Sequence, residues 1–207
     1  MQKLLFGLAL LAGVGVAGQA PIKTIEDGAL DHIELFVASL DHPGDLTVVM
    51  KPFDASAADL GTGGKGGKEV RQQEAKTMQD EGPRVLAERF AAALEKKGSF
   101  KAVRVLKASE SAPDGALVVE GTFVTLDPGS RAKRYFAGFG AGKSSVKVKG
   151  SVKDASGRTL ATFDQRRVGA MGLGGGDSLE KLMSDSRSIG DDLAEFLAKW
   201  ARGEDLS

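Results

Sequence analysis

The segment that comes closest to a known chemical motif runs from Ala137 to Ser144 and reads AGFGAGKS. Apart from the alanine at its first position, it fits a phosphate-binding loop, in which backbone N–H groups and a lysine hold the phosphates. Such a loop requires a helix directly after the lysine and serine. Here Lys143 and Ser144 are followed by an alternating pattern typical of a strand. We therefore expect no nucleotide binding, and the glycines are expected to serve close packing instead.

Side chains that commonly carry catalysis or hold metals are scarce. The chain has no cysteine, which excludes disulfides, thiol catalysis and iron–sulfur clusters. Its two histidines are His32 and His42. His32 lies near Asp31 and Glu34, which form either a metal cluster or a solvated strand edge. His42 follows Asp41 in a turn, with no recognisable nucleophile beside it. We expect no enzymatic activity, no cofactor and no metal site.

Cationic side chains are concentrated in the second half of the chain. A basic face of this kind can meet an anionic envelope polymer, a lipid headgroup or a partner protein. The alternative is a solvated sheet face that acids elsewhere balance. Few aromatic residues accompany the cations, so nucleic-acid binding is not expected. The residues of the candidate face are Arg131, Arg134, Lys147, Lys149 and Lys153.

The three lysines of this face belong to the clearest hairpin in the sequence. Valines and lysines alternate over residues 145–153, which predicts one buried and one solvated strand face. The turn at 154–157 leads to a returning strand over 158–165. The valines predicted to be buried are Val146, Val148 and Val152.

Two helical regions are expected to cover the buried face. A first helical stretch over 69–79 is followed by Gly82-Pro83, which predicts a fresh helix start, and that helix ends at Lys96-Lys97-Gly98. The second region begins with a cap at Asp177, and Gly190 is expected to break or kink it. Its apolar stripe contains Leu193, Phe196, Leu197 and Trp200.

These elements predict the fold class. The chain has 207 residues, 42% of them hydrophobic, and 28 cationic residues balance 28 acidic ones, which is typical of one globular domain. We expect an α+β fold, a mostly antiparallel sheet with a mid-chain helix and a C-terminal helix packed on it. The domain covers residues 21–207, with Gly-rich loops near 54–68 and 168–176. Pro52 places the strand over 46–53 at a sheet edge, or ends it.

The N-terminal residues predict export. A basic start at Lys3 precedes 14 apolar residues, Leu4 to Ala17, whereas crossing a bilayer takes about 20. Small residues at Gly18 and Ala20 suit a signal peptidase, so residues 1–20 are predicted to be a secretory signal peptide. The alternative is an uncleaved anchor. Because no other stretch is long and apolar enough to span a membrane, we expect the mature protein in the periplasm or associated with the cell envelope.

Three blocks of the sequence carry a family resemblance. They are GSRAKR at 129–134, GFGAG at 138–142 followed by the valine-rich strand, and DASG at 154–157. This pattern resembles the bacterial domain of unknown function 4410 family, and it is similar to the related family 3313. The resemblance implies an exported envelope protein, often a lipoprotein, and brings no catalytic residues. This chain departs from the lipoprotein pattern because it has no cysteine to carry a lipid.

Two functions are therefore expected to compete. The first is a non-enzymatic envelope module that binds a partner protein or assembles with copies of itself. The second is binding of an anionic polymer or lipid headgroup through the basic hairpin face, which should weaken as salt rises.

Overall fold

The computed structural model describes residues 19–61, 68–107, 109–129, 144–169 and 178–207. They form a seven-stranded sheet and two long helices. The helices are α1 (Lys68–Lys97) and α2 (Ser178–Ala201). The strands are β1 (Lys23–Glu26), β2 (His32–Leu35), β3 (Thr47–Met50), β4 (Ala102–Val105), β5 (Leu117–Asp127), β6 (Ser144–Lys153) and β7 (Thr159–Gly169).

The sheet is mostly antiparallel, as the sequence predicts. Its strand order is β1-β2-β7-β6-β5-β3-β4. Strand β3 pairs in parallel with β4 and with β5, and the other neighbours are antiparallel. The β3–β4 pair is parallel because α1 lies between these strands in sequence and returns the chain to the same end of the sheet. The α+β fold class is confirmed.

Strands β6 and β7 form the predicted hairpin. The Asp154 carboxylate closes the turn by accepting hydrogen bonds from the backbone N–H groups of Ser156 (2.9 Å) and Arg158 (3.1 Å). Gly157 supplies the left-handed conformation, with φ of 84°. Strand β7 continues to Gly169, so the loop predicted near 168–176 begins later than expected, and residues 170–177 lie outside the described ranges.

Both helices pack on the face of the sheet that carries the three valines. Phe196 of α2 is 1% exposed, and its ring centroid lies 6.3 Å from that of Phe163 on β7 and 5.8 Å from that of Trp200. Arg167 of β7 donates to both carboxylate oxygens of Asp192 on α2, at 2.6 and 2.5 Å. The prediction that the C-terminal helix packs on the hairpin is therefore confirmed.

Helix α1 continues through Pro83, so the predicted fresh start at Gly82-Pro83 is wrong. Met78, Leu86, Phe90 and Leu94 are spaced by four or eight residues and are at most 1% exposed, which places them on one buried stripe. Proline removes a single backbone hydrogen bond from a helix. Burial of the stripe on both sides of Pro83 keeps the two halves in one helix.

Helix α2 likewise runs through Gly190, so the predicted break is wrong. A Cβ atom at this position would lie 2.8 Å from the carbonyl oxygen of Leu86 and 3.0 Å from the nitrogen of Phe90 on α1. The missing side chain lets the two helix backbones approach closely. The predicted cap at Asp177 lies outside the described residues.

The structure also corrects the first half of the chain. Strand β3 ends at Met50, as Pro52 predicts, but it lies between β4 and β5 and not at an edge. Residues 54–61, predicted to be loop, pass along β5 and form single bridges from Asp54 and Asp59 to it. The remainder of that predicted loop, 62–67, is outside the described residues. The sequence pattern also missed β1.

The predicted signal peptide falls almost entirely on residues 1–18, which are not described. Within the described residues, no helix is long and apolar enough to cross a bilayer.

Candidate functional site

The candidate site, which we call the open face, is the charged and accessible part of the sheet face opposite the helices, over β1, β2, β7, β6 and the neighbouring part of β5. Toward β3 and β4 the same side of the sheet carries a small buried apolar cluster that includes Val49, Leu106 and Val118.

Strand β6 shows how the open face is built. Val146, Val148 and Val152 are at most 1% exposed in the core beneath the helices. Strand geometry places alternate residues on the opposite face, which brings Lys147, Lys149 and Lys153 there, as predicted. The other two predicted site residues, Arg131 and Arg134, lie outside the described residues.

Lys147 and Lys149 share one carboxylate. Their Nζ atoms lie 3.1 and 3.5 Å from Oδ2 of Asp164, which projects from β7 onto the same face. The side chain of Lys149 is 55% exposed, whereas that of Lys147 is 33% exposed. Asp164 therefore compensates part of the positive charge of β6, and Lys149 is the more accessible of the two lysines.

Lys153 shares its carboxylate with a lysine from another strand. Glu120 of β5 lies 2.5 Å from Nζ of Lys153 and 2.9 Å from Nζ of Lys51, just after β3. Partial burial raises the pKa of Glu120, but the hydrogen bonds from Lys153 and Lys51 outweigh it. The pKa of Glu120 therefore lies below its ordinary value, and the group is ionised at neutral pH.

A shallow groove of about 620 Å³ runs over this charged group. It lies above the cross-strand pair Gly121–Gly150. On the core side, Cβ atoms at these positions would lie 2.8 Å from the Phe53 ring and 2.4 Å from the Phe163 ring. The two aromatic rings occupy the space that the glycines leave. The cations that line the groove are Lys51, Lys149 and Lys153.

His32 stands on the same face, between two acidic side chains. Its Nδ1 lies 2.7 Å from Oε1 of Glu26 on β1, and its Nε2 lies 3.9 Å from Oε1 of Glu34. Asp31, the other residue of the suggested metal cluster, accepts a hydrogen bond from the backbone N–H of Arg166 instead. Within the described ranges, no group of such side chains could hold a metal ion.

Residues 137–143 of the motif that resembles a phosphate-binding loop lie outside the described residues. Strand β6 begins at Ser144, so a strand and not a helix follows the lysine of the motif. The helix N-terminus that such a loop uses for phosphate is therefore not formed at this point.

Sequence reasoning found the lysines but missed the other charged groups of the face. Glu120, Asp164 and Glu26 reach the open face from other strands, and Lys51 reaches it from the residue after β3. Alternation within β7 would have placed Asp164 opposite the buried Phe163. Nothing in the sequence states which strand lies beside which, so the charge pairs stayed hidden.

The sequence matches the family model described as domain of unknown function (DUF4410) over residues 48–172. No curated protein matches the chain. Among solved structures, the PelC dodecamer from Paraburkholderia phytofirmans is similar, with 15% identity, a TM-score of 0.44, and coverage of 78% of this chain and 96% of that chain. A crystal structure of an uncharacterized protein shares 10% identity, with a TM-score of 0.40 and coverage of 76% and 96%. At this similarity the two structures say nothing about what this chain binds.

Proposed function

The chain belongs to the bacterial DUF4410 family, a domain of unknown function, and from this premise we propose that it is an exported cell-envelope protein that acts by binding. Its partner is another envelope protein or a second copy of the chain, and it performs no catalysis. Export rests on the predicted signal peptide at residues 1–20. The similarity to the related family 3313 and the cellular location remain predictions from the sequence.

The observation that carries this proposal is the pairing of charges across the open face. Asp164 lies between two lysines, Glu120 between two more, and His32 between two glutamates. Among the described residues, only Ile22 and Val168 are large apolar side chains that are exposed. A face of mixed charges without an apolar patch suits a partner whose surface also carries both positive and negative side chains, as protein surfaces do.

A second candidate function is binding of an anionic polymer or lipid headgroup. Three lysines, Lys51, Lys149 and Lys153, line the groove of about 620 Å³, which supports this candidate. The carboxylates of Glu120 and Asp164 weigh against it, since a polyanion would have to compete with them for the same ammonium groups.

Salt dependence alone does not separate the two candidates, because a charged protein interface also weakens as salt rises. Replacing Lys149, the more exposed of the two lysines beside Asp164, with glutamate tests whether the open face takes part in binding. The matched control is Lys101→Glu, which makes the same change of charge at an exposed position beside the edge strand β4.

The test is cross-linking of the protein in intact cells of its producing bacterium, followed by mass spectrometry of the products. We expect discrete protein adducts with the wild type and with Lys101→Glu, and a loss of those adducts with Lys149→Glu. In parallel, calorimetry with sodium polyphosphate measures polyanion binding. Equal adducts from all three proteins would contradict binding through this face, and tight polyphosphate binding that Lys149→Glu abolishes would favour the second candidate.

A further inference from the structure

Four side chains of the open face stand in one row across four strands. Glu26 of β1 is in register with His32 of β2, His32 with Asp164 of β7, and Asp164 with Lys149 of β6. All four are accessible, with 65, 34, 25 and 55% of the side chain exposed in that order. With neighbouring strands about 4.8 Å apart, the row is about 14 Å long.

If the row is turned end for end and placed against itself, each charged side chain meets one that complements it. The two ends carry opposite charges, Glu26 at one and Lys149 at the other, and the two inner residues are His32 and Asp164. We propose that the open face binds a second copy of this chain, face to face, around a two-fold axis parallel to the strands and between β2 and β7. This inference rests on the proposed function and names the partner.

The two-fold axis produces four contacts. Lys149 of each copy lies opposite Glu26 of the other, which gives two ion pairs, and His32 of each copy lies opposite Asp164 of the other, whose carboxylate can accept a hydrogen bond from the imidazole. Lys149 can turn to the second copy because Lys147, 3.1 Å from Asp164, continues to compensate that carboxylate. Interfaces of this type are isologous, since both copies use the same patch.

The neighbouring row is compatible with this arrangement. It consists of Thr24, Glu34, Thr162 and Ser151. The same axis places Glu34 opposite Thr162 and Thr24 opposite Ser151, so no like charges meet within this row. An axis perpendicular to the strands would instead place the lysines of β6 opposite those of the second copy, which like-charge repulsion disfavours.

A small face of this kind gives a weak, salt-sensitive dimer. The contact is limited to the stretch in which β1 and β2 lie opposite β6 and β7, and β1 and β2 have only 4 residues each, so it covers less area than the total of about 1,200 Å² that stable interfaces bury. Its charges are solvent-accessible, so the association should weaken markedly between about 0.05 and 0.5 M salt.

Sedimentation velocity of the protein purified from its producing bacterium tests the inference. The variants are Glu26→Lys, Lys149→Glu and their equimolar mixture, with Lys101→Glu as control, and circular dichroism verifies that each is folded. By symmetry a single reversal creates two like-charge contacts, so each variant alone should dimerise at least about tenfold more weakly than the wild type. In the mixture, the two reversed side chains lie opposite each other, and the native Glu26–Lys149 pair forms the other contact.

We expect the mixture to regain the wild-type dimer, and Lys101→Glu to dimerise as the wild type does. A wild type that stays monomeric at millimolar concentration, or a mixture that does not recover, would overturn the two-fold arrangement. The cross-linking experiment is independent of this result. If Lys149→Glu still loses adducts with a different protein, binding through the open face stands and only the second copy is ruled out as the partner.

Discussion

Replacing Gly190 with alanine sets two opposite effects against each other. In an exposed helix, Gly→Ala stabilises by about 1 kcal/mol, because alanine loses less backbone entropy on folding. At Gly190, however, the new Cβ atom would lie 2.8 Å from the Leu86 carbonyl oxygen, 3.0 Å from the Phe90 nitrogen and 3.2 Å from the Arg89 Cβ. The first two are backbone atoms in the interior of α1, which cannot move without the helix.

The steric effect should exceed the gain in helix propensity. Inserting a methyl group into a closely packed site costs about 1–3 kcal/mol. Contact with two backbone atoms places Gly190 in the upper part of that range, so the expected net loss is about 1–2 kcal/mol. For a chain of this length, each kcal/mol shifts the Tm by roughly 2–4 °C. We expect Gly190→Ala to lower the Tm by about 2–8 °C, and Gly190→Val to lower it further.

Thermal unfolding followed by circular dichroism measures this difference. The control is Ser184→Ala, on the exposed side of the same helix, where only helix propensity changes and the Tm should be equal or slightly higher. If Gly190→Ala raised the Tm as the control does, α1 and α2 would not be in close backbone contact, and the explanation given for this glycine would be wrong.

Three further predictions concern the core, the open face and the N-terminus. Phe196→Ala should reduce the free energy of unfolding by about 3–5 kcal/mol, whereas Lys147→Ala should change it by less than about 1 kcal/mol; urea titration compares the two, and similar losses would contradict the assigned faces. Because the folded-state pKa of Glu120 is lowered, its contribution to stability should be present at neutral pH and lost as the pH falls below about 4. The stability difference between wild type and Glu120→Gln should therefore shrink in acid, and a constant difference from pH 7 to pH 3 would refute the charge pairing. N-terminal sequencing of exported protein should find a start between residues 18 and 22, and a chain that keeps Met1 would indicate an anchor instead.

Local patterns predicted the hairpin well. The alternation over 145–153, the DASG turn and the returning strand are neighbours in sequence, so period-two geometry and turn chemistry decide them without help from the rest of the chain. The stripe that contains Phe196 and Trp200 is local in the same sense, because a helix places residues three and four apart on one side.

Elements that depend on distant partners were predicted less well. Proline is common in the first turn of a helix, so Pro83 predicts a helix start. Burial of Met78 and Leu86 against other elements nevertheless keeps α1 continuous through this position. The helix propensity of glycine predicts a break or kink at Gly190. Its structural role, close contact between two helix backbones, depends on α1, which lies about a hundred residues earlier in the sequence. Pro52 leaves open whether the strand lies at an edge or ends there; β3 does end at Met50, and only its pairing on both sides shows that it is internal.

The sequence by itself determined which face of β6 is charged, because alternation follows from the geometry of a single strand. The tertiary structure alone decided what those charges meet. Lys153 shares Glu120 with Lys51, and Lys149 stands in one row with Asp164, His32 and Glu26, residues that only the strand order brings together. Strand order is set by how the whole chain buries its apolar surface, and side chains on a solvated face contribute little to that choice.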